Sequence, residues 1–272
     1  MDKIFYNEAS AAKLGWTPES FGCRYFDEDL IDAIKKFQKK YGLKADGLCG
    51  PSTYRRMVLE ARSNSTNFKK IKIKEGSKNI ICNNTEVPIN WDKVVLWSDS
   101  DGLKLGNGYR SNRDRKPTMF VNHWDVCLSS ESCVKVLNNR GISVHFCIDN
   151  DGTIYQFMDM NDIAYHAGSR KWNEASIGVE ITNAFYPKYQ DWYERKGFGE
   201  RPIITDASVH GKKVEKHLGF YPIQLQALQA LMKAVHTATG IPLKAPLDRK
   251  GNTSTKVSKP VADGRFEGFV SH

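Results

Sequence analysis

The sequence predicts an α/β fold preceded by a small three-helix unit. Three observations carry this. Apolar residues recur at helical spacing before residue 61, strict alternation appears from residue 118, and a new helical stripe follows Pro222. The 272 residues are 40% hydrophobic, 26% charged and 11% aromatic, which excludes a disordered or collagen-like chain. No apolar run approaches the ~20 residues that cross a bilayer.

Taken in order, a short helix is expected over roughly residues 6 to 14. Residues 28–42 form an amphipathic helix with Leu30, Ile34, Phe37 and Tyr41 on one side and Ile31 widening the stripe. Asp27 is its expected N-cap and Gly42 its stop. A turn, LKADGLCG, leads to Pro51 at the start of a helix carrying Tyr54, Met57 and Val58. Polar ARSNSTNFKK (61–70) reads as a linker. Strands are expected at 118–124 and 176–182, with a hairpin pairing 144–148 and 154–158 across DNDGT. The helix opened by Pro222 would line one side with Leu225, Leu228, Met232 and Val235 and end at Gly240. Residues 244 to 265 read as a basic surface loop, and there is no internal repeat.

Lys and Arg number 40 against 31 Asp and Glu, a net charge of +9. That balance suits an anionic partner such as nucleic acid, membrane headgroups or an acidic wall polymer. Nucleic acid has only charge behind it, because no zinc-finger spacing or recognition helix is present. The N-terminus lacks a basic n-region and an apolar h-region, so synthesis in a cytoplasm without a signal peptide is expected. Six scattered Cys without a CxxC spacing read as small buried hydrophobes, with Cys127 and Cys133 close enough for a local bridge.

Among the residues able to do chemistry, His123 lies in a strand and shares a face with Val121 and Met119. It is either a hydrogen-bonded strand residue or a metal ligand whose partners arrive from elsewhere. His145, His166 and His272 have strand or turn contexts, and Ala167 and Gly168 leave room beside His166. His210 and His217 look solvated, and His236 suits a helix C-terminus. Glu180 stands between Val179 and Ile181, on the face of Gly178 and Thr182. It faces outward, or it is a carboxylate in a cleft that could deprotonate a metal-bound water. A Cys147–His145 pair has nothing else to support it. GxSxG, P-loop, GxGxxG and HExxH motifs are absent.

Two resemblances now stand on quoted residues. Phe37-Gln38, Gly42-Leu43, Asp46-Gly47 and Gly50-Pro51-Ser52-Thr53 keep the frame of the helical peptidoglycan-binding module, which the chain resembles over residues 33–57. FVNHW (120–124), GISVHFCIDNDGTIYQFM (141–158), DIAYHAG (162–168), SIGVEIT (176–182) and GFVSH (268–272) resemble, in order, the zinc-dependent N-acetylmuramoyl-L-alanine amidases of phage lysins and wall recycling. These are related in fold to the peptidoglycan recognition proteins. The resemblance implies a central mixed β-sheet flanked by helices.

It also implies site residues. His123 and His272 would be zinc ligands, Glu180 the catalytic base, and His166 a substrate-positioning residue in the cleft. His145 would pack or hydrogen-bond in its strand, and Val144 replaces a catalytic tyrosine of some relatives. The family's third ligand, Asp or Cys, lies several residues beyond the second histidine, where this sequence stops. The expectation is therefore a chain lacking its C-terminal end; otherwise another residue or water serves, or the site is damaged. The implied organisation is a binding module at 1–61, a linker and approach at 62–117, and the amidase domain at 118–272. The implied function is zinc-dependent cleavage of the muramoyl–L-alanine amide, as a monomer acting on peptidoglycan after phage-mediated release. It implies no nucleic-acid partner and no membrane insertion. The alternative is a peptidoglycan-recognition protein without hydrolysis.

Overall fold

Asp2 accepts hydrogen bonds from the amides of Ile4 and Phe5 and opens α1 (Lys3–Leu14), so the first helix begins one turn earlier than its apolar spacing indicates. The computed structural model describes residues 2–63, 79–106, 108–111 and 114–271; the linker reading from residue 64 onward, and His272, lie outside the described residues. Asp27 caps α2 (Glu28–Lys40) through the Leu30 amide, as its position suggests. The buried side of α2 is Leu30, Ile31, Ile34 and a residue outside the apolar stripe, Gln38. The Gln38 amide donates to Asp46 Oδ1, the Leu48 carbonyl and Thr53 Oγ1, and its oxygen accepts from the Gly47 amide. One buried side chain thereby ties the turn to both flanking helices. A Cβ on Gly47, whose φ is +76°, would stand 2.8 Å from Ile31 Cγ2, so this position excludes any other residue. The turn delivers the chain to α3 (Pro51–Ser63), and Leu14, Trp16, Leu30, Ile34, Cys49 and Tyr54 fill the space between the three helices.

A hairpin of β1 (Asn79–Cys82) and β2 (Thr85–Pro88) follows, then β3 (Val94–Leu96) and β4 (Tyr109–Arg110). Next come β5 (Met119–Trp124), α4 (Ser130–Arg140), β6 (Phe146–Ile148), β7 (Ile154–Gln156) and β8 (Ile163–Ala164). After α5 (Arg170–Ala175), β9 (Ser176–Ile181) and α6 (Gln190–Arg195) lie the short strands β10 (Ile203–Ile204), β11 (Ser208–Val209), β12 (Lys212–Lys213) and β13 (His217–Leu218). The described chain closes with α7 (Pro222–Thr239), α8 (Lys259–Ala262) and β14 (Gly268–Ser271).

The central sheet has six strands in the order β14-β5-β9-β6-β7-β3. Only β6 and β7 pair antiparallel, as the predicted hairpin; the other neighbours run parallel, so the sheet is mixed. Its last strand, β3, comes from the segment read as linker and approach, because three consecutive apolar residues show no period. Helix α4 also lacks a sequence signal. Its buried side includes Ser130, Ser132 and Cys133, which mask the apolar stripe.

Two expectations need correction. Leu225 is 43% exposed; of the expected stripe, Val235 is buried against the sheet together with Ala227, Leu231 and Ala234, and Leu228 and Met232 lie at the margin. Ala227 and Ala234 carry too little apolar weight to mark the centre of that side in the sequence. His217 is buried and stacked on Phe185, with ring centroids 5.1 Å apart, because β13 carries it inward from its lysine-rich surroundings. The six thiols are free and five of them buried. Among the described residues, no helix is long and apolar enough to cross a membrane.

Candidate active site

Side chains alternate along a strand, so each face of the sheet receives every second residue. Phe120, Phe146, Ile148, Ile177, Val179 and Ile181 pack towards α7. His123, Gly178, Glu180 and Cys147 therefore lie on the opposite face, and the parallel register sets His123 beside Glu180 and Glu180 beside Cys147. The sequence places Glu180 either outward or in a cleft; it is in fact among buried neighbours. Its Oε2 is buried without a hydrogen-bond partner. Burial, reinforced by Asp125, pushes its carboxyl up to about 8, against the pull of Arg55 and Arg140.

His166 follows β8 and lies across β9, where Gly178 leaves space. Its Nδ1 is 2.9 Å from His123 Nε2, and its Nε2 is 3.2 Å from Ser176 Oγ. Asn173 Oδ1 accepts from the amides of His166 and Ala167 and fixes the loop that presents the ring. His145 does structural work in the same row. The Gly178 amide donates to its Nδ1 at 3.0 Å, so the ring proton sits on Nε2, which donates to the Asp162 carbonyl at 3.0 Å. Burial, and then the adjacent Arg115, lower its pKa to about 3 and keep the ring neutral. Val144 is buried beneath in the apolar cluster with Cys127, Cys133 and Cys147.

Sequence reasoning passes over Asp125, although alternation from His123 would have put it on the same face. It accepts from the amides of Cys127 and Asn183 and from Thr182 Oγ1. That Asx turn holds Val126 at φ +52°, a region unfavourable to a β-branched residue. Burial pushes the Asp125 carboxyl up to about 7. Asp125, Cys133 and Cys147 bring three ligand atoms within 4.8 Å of one another, a candidate metal-binding triad among the described residues. Beside it, β14 runs parallel to β5 and ends with Ser271 in register with Asn122. The expected ligand His272 is outside the described residues. A buried carboxylate oxygen without a donor, one strand from an imidazole, fits a site that holds a cation and its water.

A family model described as N-acetylmuramoyl-L-alanine amidase matches residues 113–255, and one described as "Putative peptidoglycan binding domain" matches residues 12–57. The Rickettsia conorii protein named "Putative N-acetylmuramoyl-L-alanine amidase RC0497" is 37% identical over 75 residues, 25% of this chain and 28% of that protein. The chain thus spans about a quarter of the length of the curated relative it matches. Among solved structures, the E. coli amidase AmiD bound to an anhydro-muramoyl peptide is 22% identical, with a TM-score of 0.33 and 49% of each chain covered. A Drosophila PGRP-LB mutant is 16% identical, with a TM-score of 0.33, covering 66% of this chain and 84% of its own.

Proposed function

We infer the activity from one premise: the chain belongs to the N-acetylmuramoyl-L-alanine amidase family. It hydrolyses the amide between N-acetylmuramic acid and L-alanine, and its residues 1–61 hold it on peptidoglycan. The observation that carries this reading is the buried, unpartnered Glu180 Oε2 beside His123 in strand register.

Bound zinc would polarise the scissile carbonyl and lower the pKa of its water from about 15.7 towards ~7. His123 and His272 would hold the ion. The Asp125–Cys133–Cys147 triad, whose ligand atoms lie within 4.8 Å of one another and whose Cys147 pairs with Glu180 in strand register, is a second set of donors that could hold it. Glu180 accepts the water proton at its unpartnered oxygen and returns it to the alanine nitrogen, which leaves readily only when protonated. Burial, which favours the protonated carboxyl, helps Glu180 hold the proton until the nitrogen takes it. His166, braced by Ser176 and Asn173, orients the substrate carbonyl and the His123 ring. We assign the net charge of +9 to attraction by anionic wall polymers, and a phage lysin acting as a monomer fits the modular plan.

Incubation with purified wall tests the reading: new N-terminal L-alanine is expected, and Glu180→Ala should lower its release by about 100-fold or more while the protein still pellets with wall. A fully active Glu180→Ala variant would remove the proposed base. Pelleting by the unaltered protein without any release would make it a recognition protein.

A further inference from the structure

Helix α3 belongs to two interiors. Val58 packs both with the Leu14, Trp16 and Tyr54 cluster and with the cluster of Cys127, Cys133 and Val144. Leu59 is buried with Leu128 and Ala184, which lie just beyond the C-terminal ends of β5 and β9. Those strand ends carry His123 and Glu180. Arg55 precedes Val58 and Leu59 by three and four positions, so it lies on the helix side that meets the sheet. One residue earlier, Tyr54 bonds Asn139 in the last turn of α4, next to Arg140.

Arg55 and Arg140 are both half-buried, and each acts electrostatically on the other and on Glu180. Arg55 Nε is buried with no acceptor, and among the described residues no carboxylate pairs with either guanidinium. Two like charges held together in a half-dry place repel, and each offers a planar fork of donors that the protein leaves unused. The group that relieves both conditions is a carboxylate brought by a ligand.

We propose that Arg55, from the peptidoglycan-binding module, and Arg140, from the catalytic domain, form one carboxylate subsite of the amidase cleft. It takes the free α-carboxylate of the γ-linked glutamate that follows L-alanine in the stem peptide. This rests on the amidase reading for its substrate. That carboxylate is the first anionic group on the peptide side of the scissile amide, so a cationic pair beside Glu180 is placed to receive it. The module then selects substrate as well as holding wall, and Arg55 and Arg140 position the peptide without touching the reacting atoms.

Titration calorimetry of the metal-free full chain with N-acetylmuramoyl-L-alanyl-γ-D-glutamate and with its α-amide tests the subsite apart from catalysis. The unaltered protein should bind the carboxylate form about tenfold more tightly than the amide. Arg55→Ala and Arg140→Ala should each erase most of that preference, and Arg55→Lys should restore part of it. In hydrolysis, KM for the carboxylate form should rise about tenfold in Arg55→Ala while KM for the α-amide form stays within about twofold. Equal weakening of both ligands, a preference that survives both alanine variants, or no binding of either ligand would overturn the subsite. Preference without any L-alanine release would instead retain the subsite and remove the amidase reading.

Discussion

A Cβ on Gly178 would stand 2.6 Å from His166 Nδ1, the nitrogen that is itself 2.9 Å from His123 Nε2. The missing side chain on β9 is what lets the two imidazoles meet. Gly178→Ala should therefore displace the His166 ring and cut kcat/KM on wall by about tenfold or more, with the far-ultraviolet spectrum unchanged. Unchanged kcat/KM would mean that the position of His166 has no part in turnover.

His145 should remain neutral, with its proton on Nε2, from pH 8 down to about 4. Its folded pKa is lowered to about 3, below the ~6.5 of an unfolded chain, by burial and then by Arg115. The stability it contributes is full above the unfolded value and lost as pH falls from about 6.5 towards 3. Nitrogen-15 spectra of the ring report this directly; a His145 resonance titrating near 6.5 would contradict it.

Asp149, in the β6–β7 turn, works in the other sense. Burial pushes its carboxyl up to about 7, although the Asn150 amide donates to it. The fold retains a proton that an unfolded chain releases above about 4, so this contribution is full below that pH and lost as pH rises through about 7. Asp149→Asn should flatten the fall in Tm between pH 5 and 8. Superimposable Tm curves would show that Asp149 is charged in the fold.

The contact between the N-terminal helices and the sheet domain is anchored by Glu60. Its carboxylate receives Arg56 Nε at 2.8 Å and bonds Lys188 and Tyr189, while the Arg56 guanidinium lies 3.4 Å from the Tyr186 ring centroid. Glu60→Ala leaves the buried Arg56 unpaired and should cost about 3 kcal/mol of unfolding free energy, measured by urea denaturation. A single transition is expected for the unaltered chain. Two well-separated transitions would mean that the helical unit and the sheet domain unfold independently.

The row of His123, Gly178 and Glu180 is legible in the sequence because period-two alternation assigns faces before any strand order is known. Neighbouring strand order is not legible: only the fold sets Cys147 beside Glu180. Helix α4 escapes because serines and a cysteine occupy its buried side, and β3 because three residues are too few to show a period. Gln38 reads as a polar helix position, yet four hydrogen bonds make it a buried support of the turn. His217 is misplaced for the opposite reason, since its charged neighbours stay outside while the ring goes in. Arg55 has no local signal at all. Its meaning depends on where α3 comes to rest.

Because Val58 is shared by both interiors and Leu59 is buried in that of the sheet domain, α3 is a girder between the two units. Pulling the helical end away from the strand tips would therefore bare Val58 and Leu59 to water before the two units could part.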